Sequence, residues 1–279
     1  MLETGQHFIP VITSEAGSCL TAANWQEVQI TAGAYNLESL LLKPGYELLE
    51  HISDLGQYLN WTGPIVLNAS HFIANKEGIF TLISPYDGSK TKFNYSQLLA
   101  IIQQLKPDAV LLPCKTLRDF PDVWMQWNKL IKPYIAADDR IPNEMPKDYG
   151  IYFHIDNADM VNLEQLNRWS HVSRYVKGAI NPNLIQHLKH IGIDFIESNE
   201  PAYLALQGIV LSANGEINLA DDVVNQDFKM IDEMCTCPTC SQQLTQAYLH
   251  HLYLHTPLLC QRFLIQHNIH YIQNKVKLI

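Results

Sequence analysis

The chain has 279 residues, 47% hydrophobic and 17% charged, which supports a sizeable core in one large domain or two modest ones and excludes a disordered or collagenous chain. Lys and Arg total 19 against 28 Asp and Glu, a net charge of −9, so a generally basic nucleic-acid binder is disfavoured and any RNA binding is left to a local patch. The opening Met-Leu-Glu-Thr-Gly-Gln-His has no basic region followed by an apolar core, and no apolar run reaches about 18 residues. Neither a signal peptide nor a membrane span is expected, and six cysteines, three of them clustered, do not read as an evenly stapled secreted domain. A reducing, cytoplasmic setting with thiols free for metal is the expectation.

Along the chain, short apolar runs alternate with helical patterns. Pro64-Ile65-Val66-Leu67 reads as a buried strand. From Tyr95 to Leu105 the residues Leu98, Leu99, Ile101, Ile102 and Leu105 cover one side of a helix. Pro107-Asp108 turns into a second strand at Ala109–Leu112, and Gly150–Ile155 reads as a third. Residues 117–149, with Pro121, Pro133, Pro142 and Pro146 among charged residues, read as an irregular connection or lid. Helices are expected over Leu163–Trp169 and, behind an Asn-Pro turn, over Asn183–His190, with a fourth strand at Gly192–Ile196. Gln243–Leu254 reads as one helix stopped near Pro257, and Leu259–Gln266 as the start of another. Such alternation favours a parallel sheet with helices outside, and the length suits a (β/α)8 barrel of about 250 residues plus a small metal module. Periodicity alone leaves an open doubly wound sheet equally available.

Cys235-Thr236-Cys237-Pro238-Thr239-Cys240 is the strongest chemical signal. Three soft ligands converge without strain at this spacing, and a fourth ligand from a later helix would complete a closed tetrahedral shell, which for zinc is structural rather than catalytic. Spacing leaves His250, His251, His255, His267 and His270 all open as that ligand. Cys260 reads as a core thiol. Asp87-Gly88-Ser89 reads as a turn rather than a phosphate cradle, and Trp124 with Trp127 as packing rather than base stacking.

Taken together, these segments resemble the tRNA-guanine transglycosylases, (β/α)8 enzymes that exchange guanine at the wobble position of certain tRNAs. The cysteine cluster, then Ala247-Tyr248-Leu249-His250-His251-Leu252, then His267-Asn268, resembles that family's zinc module. Gly33-Ala34-Tyr35-Asn36-Leu37 with Lys43-Pro44-Gly45, Trp61-Thr62-Gly63-Pro64-Ile65, and Ser84 to Ser89 resemble further family segments in the same order. So do Val176-Lys177-Gly178-Ala179-Ile180-Asn181-Pro182 and Gly192-Ile193-Asp194-Phe195. The resemblance implies Zn2+ held by Cys235, Cys237, Cys240 and His267, and a small insertion near Gln242–Leu244. It implies one domain over 1–279 with a zinc-binding subdomain at 229–270 inside it.

The departures bear on activity. In the family the segment after Gly-Pro-Ile carries a catalytic aspartate; here that position is Asn68, and an amide cannot serve as a general base. The family's nucleophilic aspartate falls at Glu197, which keeps a carboxylate but adds a methylene; a displacement of about 1 Å can cost roughly 10²-fold in rate. The base-recognition segment appears as Cys114 and Lys115, a Gln-Gly-Gly segment as Phe153-His154-Ile155, and the arginine pair as Ala202-Tyr203. His71, Cys114 and Phe153 are the candidates for a remnant pocket. The resemblance therefore implies a trimmed barrel, shortened between Asp119 and Val176, that acts without catalysis by pairing with tRNA, with a second copy or with a full-length transglycosylase. Guanine exchange with Glu197 as nucleophile, or an unrelated small ligand in the altered pocket, are the alternatives.

Overall fold

The fold is that of a computed structural model, which describes residues 7–14, 17–139, 148–158 and 161–277, with the backbone alone for 275–277. Among the described residues, twelve strands run β1 His7–Pro10, β2 Gly33–Asn36, β3 Ile65–Asn68, β4 Ile79–Ile83, β5 Lys90–Asn94, β6 Ala109–Leu111, β7 Lys132–Ala136, β8 Gly150–Ile155, β9 Ser173–Gly178, β10 Phe195–Ser198, β11 Ile209–Ser212 and β12 Gly215–Asn218. Eight of them form one sheet in the order β1-β10-β9-β8-β7-β6-β3-β2. The registered pairs β1/β10, β2/β3, β3/β6, β6/β7 and β7/β8 are all parallel. Neighbours follow chain order, with the first strand beside the last, which is the strand order of a (β/α)8 barrel. Among the described residues this sheet has eight strands. By contacts the chain divides into two compact units: one holds Ala32–His154 and Asn162–Lys177, the other Gln6–Thr31, Ile155–Val161 and Gly178–Ile279.

The helices form where local chemistry supports them. Tyr95–Leu105 starts with a reciprocal capping box, Asn94 Oδ1 accepting from the Gln97 backbone at 2.9 Å and Gln97 Oε1 from that of Asn94 at 3.0 Å. It ends at Lys106 in the left-handed region, just before Pro107, and buries the five aliphatic side chains expected of it together with Tyr95. Asn181 caps Pro182–His190 by accepting from Leu184 N at 2.8 Å, with Pro182 at the first turn.

Two expectations need correction. Residues 117–149 are more regular than a loop: they contain a helical turn at Thr116–Asp119, a 3-10 turn at Pro121–Gln126 and strand β7. Pro133 is tolerated inside β7 because the rungs toward β6 come from its neighbours, Lys132 N to Asp108 O at 2.9 Å and Leu112 N to Tyr134 O at 3.0 Å. Pairing with β8 begins only at Tyr134, so the missing N–H of Pro133 removes no hydrogen bond. Pro142 and Pro146 lie outside the described residues. The fourth strand starts at Phe195 rather than Gly192, because Gly192 (φ 76°) closes the preceding helix with Gly192 N to Lys189 O at 2.9 Å. The helix expected to start over Leu259–Gln266 is present and runs from Pro257 to Lys277.

Two antiparallel hairpins complete the fold. In β4/β5 the alternation buries Phe80, Leu82 and Phe93, and Phe80 stacks on Phe93 at 5.4 Å with Phe72 edge-on to both. Asp87-Gly88-Ser89 makes its turn: Asp87 Oδ1 accepts from the Ser89 amide and hydroxyl at 3.1 and 2.8 Å, and Gly88 takes φ 72°. In β11/β12, Ser212 Oγ donates to Gly215 O at 2.7 Å across the tight turn. Trp124 and Trp127 meet edge-on at 5.4 Å, and Trp127 Nε1 donates to Ile131 O at 2.9 Å, as packing rather than stacking residues.

Candidate metal centre and strand-end cleft

The cysteine knuckle lies between β12 and the helix Gln246–His255. Thr239 Oγ1 donates to Phe263 O at 2.6 Å, one helical turn before His267, and thereby pins the knuckle to the long helix. Cys240 N donates to Cys237 Sγ at 3.3 Å, and the 3-10 turn that follows closes at Gln243 with φ 56°. From His267 Nδ1 the sulfurs of Cys235, Cys237 and Cys240 stand at 3.8, 3.5 and 3.3 Å. All four ligand atoms lie within 4.8 Å of one another. With zinc bonds of about 2.3 Å to sulfur and 2.0–2.1 Å to nitrogen, tetrahedral geometry requires an S···N separation of about 3.6 Å. The observed distances bracket that value, so the group can hold a metal ion.

The imidazole is oriented from behind. His267 Nε2 lies 2.7 Å from the Leu211 carbonyl, so Nε2 carries the proton and Nδ1 turns its lone pair to the sulfurs. Asn268, the next residue, holds the other side of Leu211: its Oδ1 accepts from Leu211 N at 2.9 Å, and its Nδ2 donates to Pro201 O and Ile209 O at 3.0 Å each. The sulfurs compete for charge. Thiol hydrogen bonds from Cys235 and Cys240 lower Cys237 to about 3, and the same crowding with Cys235 and Cys237 pushes Cys240 up. A cation among them lets all three ionise together.

The remaining histidines are occupied elsewhere. His250 is buried with Nδ1 2.7 Å from Leu219 O, His251 and His255 are exposed with rings 4.6 Å apart, and His270 pairs with Asn274 at 2.9 Å. Cys260 is fully buried and donates to Leu249 O at 3.4 Å, and burial pushes its thiol up to about 12.

At the carboxyl ends of the strands, Asn68 closes β3 and is only 1% exposed. Its Oδ1 accepts from Ser70 N at 3.1 Å and from Ser70 Oγ at 2.7 Å, so the amide oxygen is engaged by its own loop. His71 and Cys114 line one cleft of about 870 Å³ together with Lys76, Lys115 and Arg118. Tyr152 OH donates to Leu112 O at 2.9 Å and lies 3.4 Å from Cys114 Sγ. Along β8, Gly150, Tyr152 and His154 share one face, where Gly150 leaves room for the Tyr134 ring: a Cβ there would sit 2.2 Å from it. Phe153 is buried on the opposite face of that strand. Glu197 is 5% exposed in β10, opposite Ile9 of β1.

One residue escaped the sequence reading. Lys177, near the end of β9, is 4% exposed and places Nζ 3.4 Å from His71 Nε2. A lysine inside the apolar run Tyr175-Val176-Lys177, just before a glycine, was the available signal. Desolvation of the ring, then the charges of Lys177 and His154, lower the His71 pKa to about 4.

Comparison with known proteins decides the family. The family model for queuine tRNA-ribosyltransferase matches residues 2–123 and 157–279, most of the chain. The chain belongs to the queuine tRNA-ribosyltransferase family. It is similar to the queuine tRNA-ribosyltransferase of Thermotoga petrophila, 23% identical over 315 positions that cover 97% of this chain and 85% of the relative. Similar likeness holds for the enzymes so named in Desulforamulus reducens (23%, covering 96% and 84%) and Francisella tularensis subsp. novicida (23%, covering 98% and 86%). The stretch that this family's model leaves unmatched, 124–156, carries the whole of β7 and β8. The first matched part contains Asn68, and the second contains Glu197 and the whole Cys3His group. Among the described residues, no helix is long and apolar enough to cross a membrane.

The His71 shift gives a direct expectation for this family member. The ring carbon resonances of His71 should titrate with a midpoint near 4, and Lys177→Met should move it upward while leaving it below 6.5, because desolvation, the larger cause, persists. A lowered folded pKa means that the unfolded chain binds the proton first. This group therefore subtracts stability as pH falls from about 6.5 toward about 4, and contributes no further change below that. A midpoint at 6.5 in both proteins would place His71 in open water.

Proposed function

We propose that this chain is a non-catalytic member of the queuine tRNA-ribosyltransferase family, acting in tRNA wobble-base (queuosine) modification by binding a full-length transglycosylase, a second copy of itself, or tRNA. In this reading 1–279 is one barrel domain in the cytoplasm, and 229–270 is its zinc-binding subdomain, with Zn2+ on Cys235, Cys237, Cys240 and His267. The observation that carries it is an asymmetry. The ligand geometry and the Leu211 and Asn268 support of the metal centre are complete. The position of the catalytic carboxylate is instead Asn68, whose oxygen already accepts two hydrogen bonds from Ser70.

Base exchange needs a carboxylate to attack the ribose, an acid/base to serve the two purines, and polar groups to read the purine edge. Glu197 supplies a candidate for the first. The second has no counterpart at Asn68, and Cys114 with Lys115 stands where purine-reading groups are expected. Exchange with Glu197 as nucleophile is the second reading, supported by a buried carboxylate near the end of a parallel strand.

The test is affinity co-purification with a full-length transglycosylase from the same cell, alongside a gel-shift with its cognate tRNA and the oligomeric state in solution. Association with the enzyme, with tRNA or with itself is expected. A strictly monomeric protein that ignores both ends this reading.

A further inference from the structure

The helix Gln246–His255 carries two histidines that the Cys3His group does not use. His251 and His255 are four residues apart, so they share one face of the helix, and both are exposed. Their ring centroids stand 4.6 Å apart with the planes tilted by 46°, so the rings are close without being stacked. Among the described residues, neither ring makes a hydrogen bond or an ion pair. His250 and His270 differ: their ring nitrogens lie 2.7 Å from Leu219 O and 2.9 Å from Asn274 Nδ2.

We propose that His251 and His255 chelate a divalent transition-metal ion, Zn2+ foremost, as a second metal site separate from the Cys3His group. The spacing is that of the two zinc-binding histidines in a helical His-Glu-x-x-His motif. Here Leu252, which is buried, follows the first histidine, so the motif's general base is missing and the pair binds a metal without hydrolytic chemistry. With nitrogen–metal bonds of about 2.0–2.1 Å, two imidazoles on one ion set their centroids about 4.5–5.2 Å apart for ligand angles of about 90–110°. The observed 4.6 Å lies inside that range, so the rings already stand at chelating distance. Both sit in the last turn of the helix, where the backbone dipole favours a cation. From Gln246 to Gln261 there is no lysine or arginine to repel the ion, and the chain as a whole carries a charge of −9. Tyr248 and Leu254, the other exposed side chains of this helix, offer no carboxylate, so Mg2+ and Ca2+ lack the oxygen ligands they require. Two protein ligands leave the remaining positions to water. This ion therefore exchanges away on gel filtration, while the ion of the buried Cys3His group stays. The inference goes beyond the partner reading above and stands independently of it.

The test titrates ZnCl2 into the gel-filtered full chain, with the Cys3His ion in place, by isothermal calorimetry. One further ion per chain is expected. His251→Gln and His255→Gln should each weaken its binding about 10²-fold, because the second ring acts as an intramolecular ligand. Millimolar Mg2+ should not compete. A second measurement needs no variant: in the natural chain, trace Cu2+ should broaden the ring resonances of His251 and His255 before that of the exposed His171. No further ion, an affinity unchanged in His255→Gln, displacement by Mg2+, or broadening of His171 ahead of the pair each overturns the proposal.

Discussion

Replacing Cys240 with serine, or stripping the metal with a strong chelator, should lower the thermal midpoint by more than about 10 °C and drop the metal content from one ion per chain toward none. The size follows from where the site sits. Cys237 and His267 are fully buried and Cys240 nearly so, and together they join the knuckle to a 21-residue helix. That helix packs on Glu200–Leu206, on β11 and on β1. An apparent binding energy of about 10–16 kcal/mol is typical of structural zinc, and the loss of about half of it corresponds to about 10 °C in a chain of this length. Removing the ion also leaves three sulfurs competing for charge in a confined site, which the opposed shifts of Cys237 and Cys240 express. Metal analysis and calorimetry on the same sample decide the matter. A chelated protein that keeps its midpoint would mean that the Cys3His group does not hold the fold.

The second large effect is expected at Asn268, which touches no metal. Asn268→Ala deletes one acceptor and two donor contacts in a fully buried place, leaving Leu211 N–H and the carbonyls of Pro201 and Ile209 without their partner. Buried backbone groups stripped in this way cost about 1–3 kcal/mol each, so a total loss of about 3–5 kcal/mol is expected, measured by denaturant unfolding. A second consequence separates this residue from an ordinary core amide. Leu211 is gripped through its N–H by Asn268 and through its C=O by His267. Loosening one grip frees the other, so metal affinity should fall about 10–100-fold, the usual range for a group that orients a ligand. A stability loss with unchanged metal affinity would show that Leu211 is held by the helix packing instead.

The elements that could be read from the sequence were those in which local pattern and tertiary role agree. The apolar runs at Ile65, Ala109 and Gly150 and the amphipathic helix from Tyr95 lie within a residue of their expected bounds. Misreadings arose where tertiary context overrides a local signal. Pro133 looked like a loop marker but falls in β7 before the pairing with β8 begins, where its missing N–H removes no hydrogen bond. Gln266 and Asn268, polar residues beside His267, are buried in the last helix and hydrogen-bonded to distant groups, which no local pattern announces. Hairpin β4/β5 was written plainly in the alternation of Ile79–Ile83 but attracted no reading beside its turn. The metal ligands needed both kinds of information: spacing supplied the cysteines, the family resemblance selected His267 among five histidines, and the 2.7 Å bond to Leu211 explains why that one faces the sulfurs. Lys177 was legible as an oddity in an apolar strand, but its meaning depends on His71, 106 positions away in sequence.

The central claim is that the family's fold and metal centre persist here while guanine exchange does not. The most direct measurement is covalent trapping: the metal-loaded protein is incubated with cognate tRNA and a purine analogue, and the products are resolved under denaturing conditions beside an active transglycosylase. On the proposed reading, in which Asn68 stands at the position of the family's catalytic carboxylate, no protein–RNA adduct and no incorporation of labelled guanine are predicted. A covalent adduct that forms with the natural chain and disappears in Glu197→Ala would contradict it.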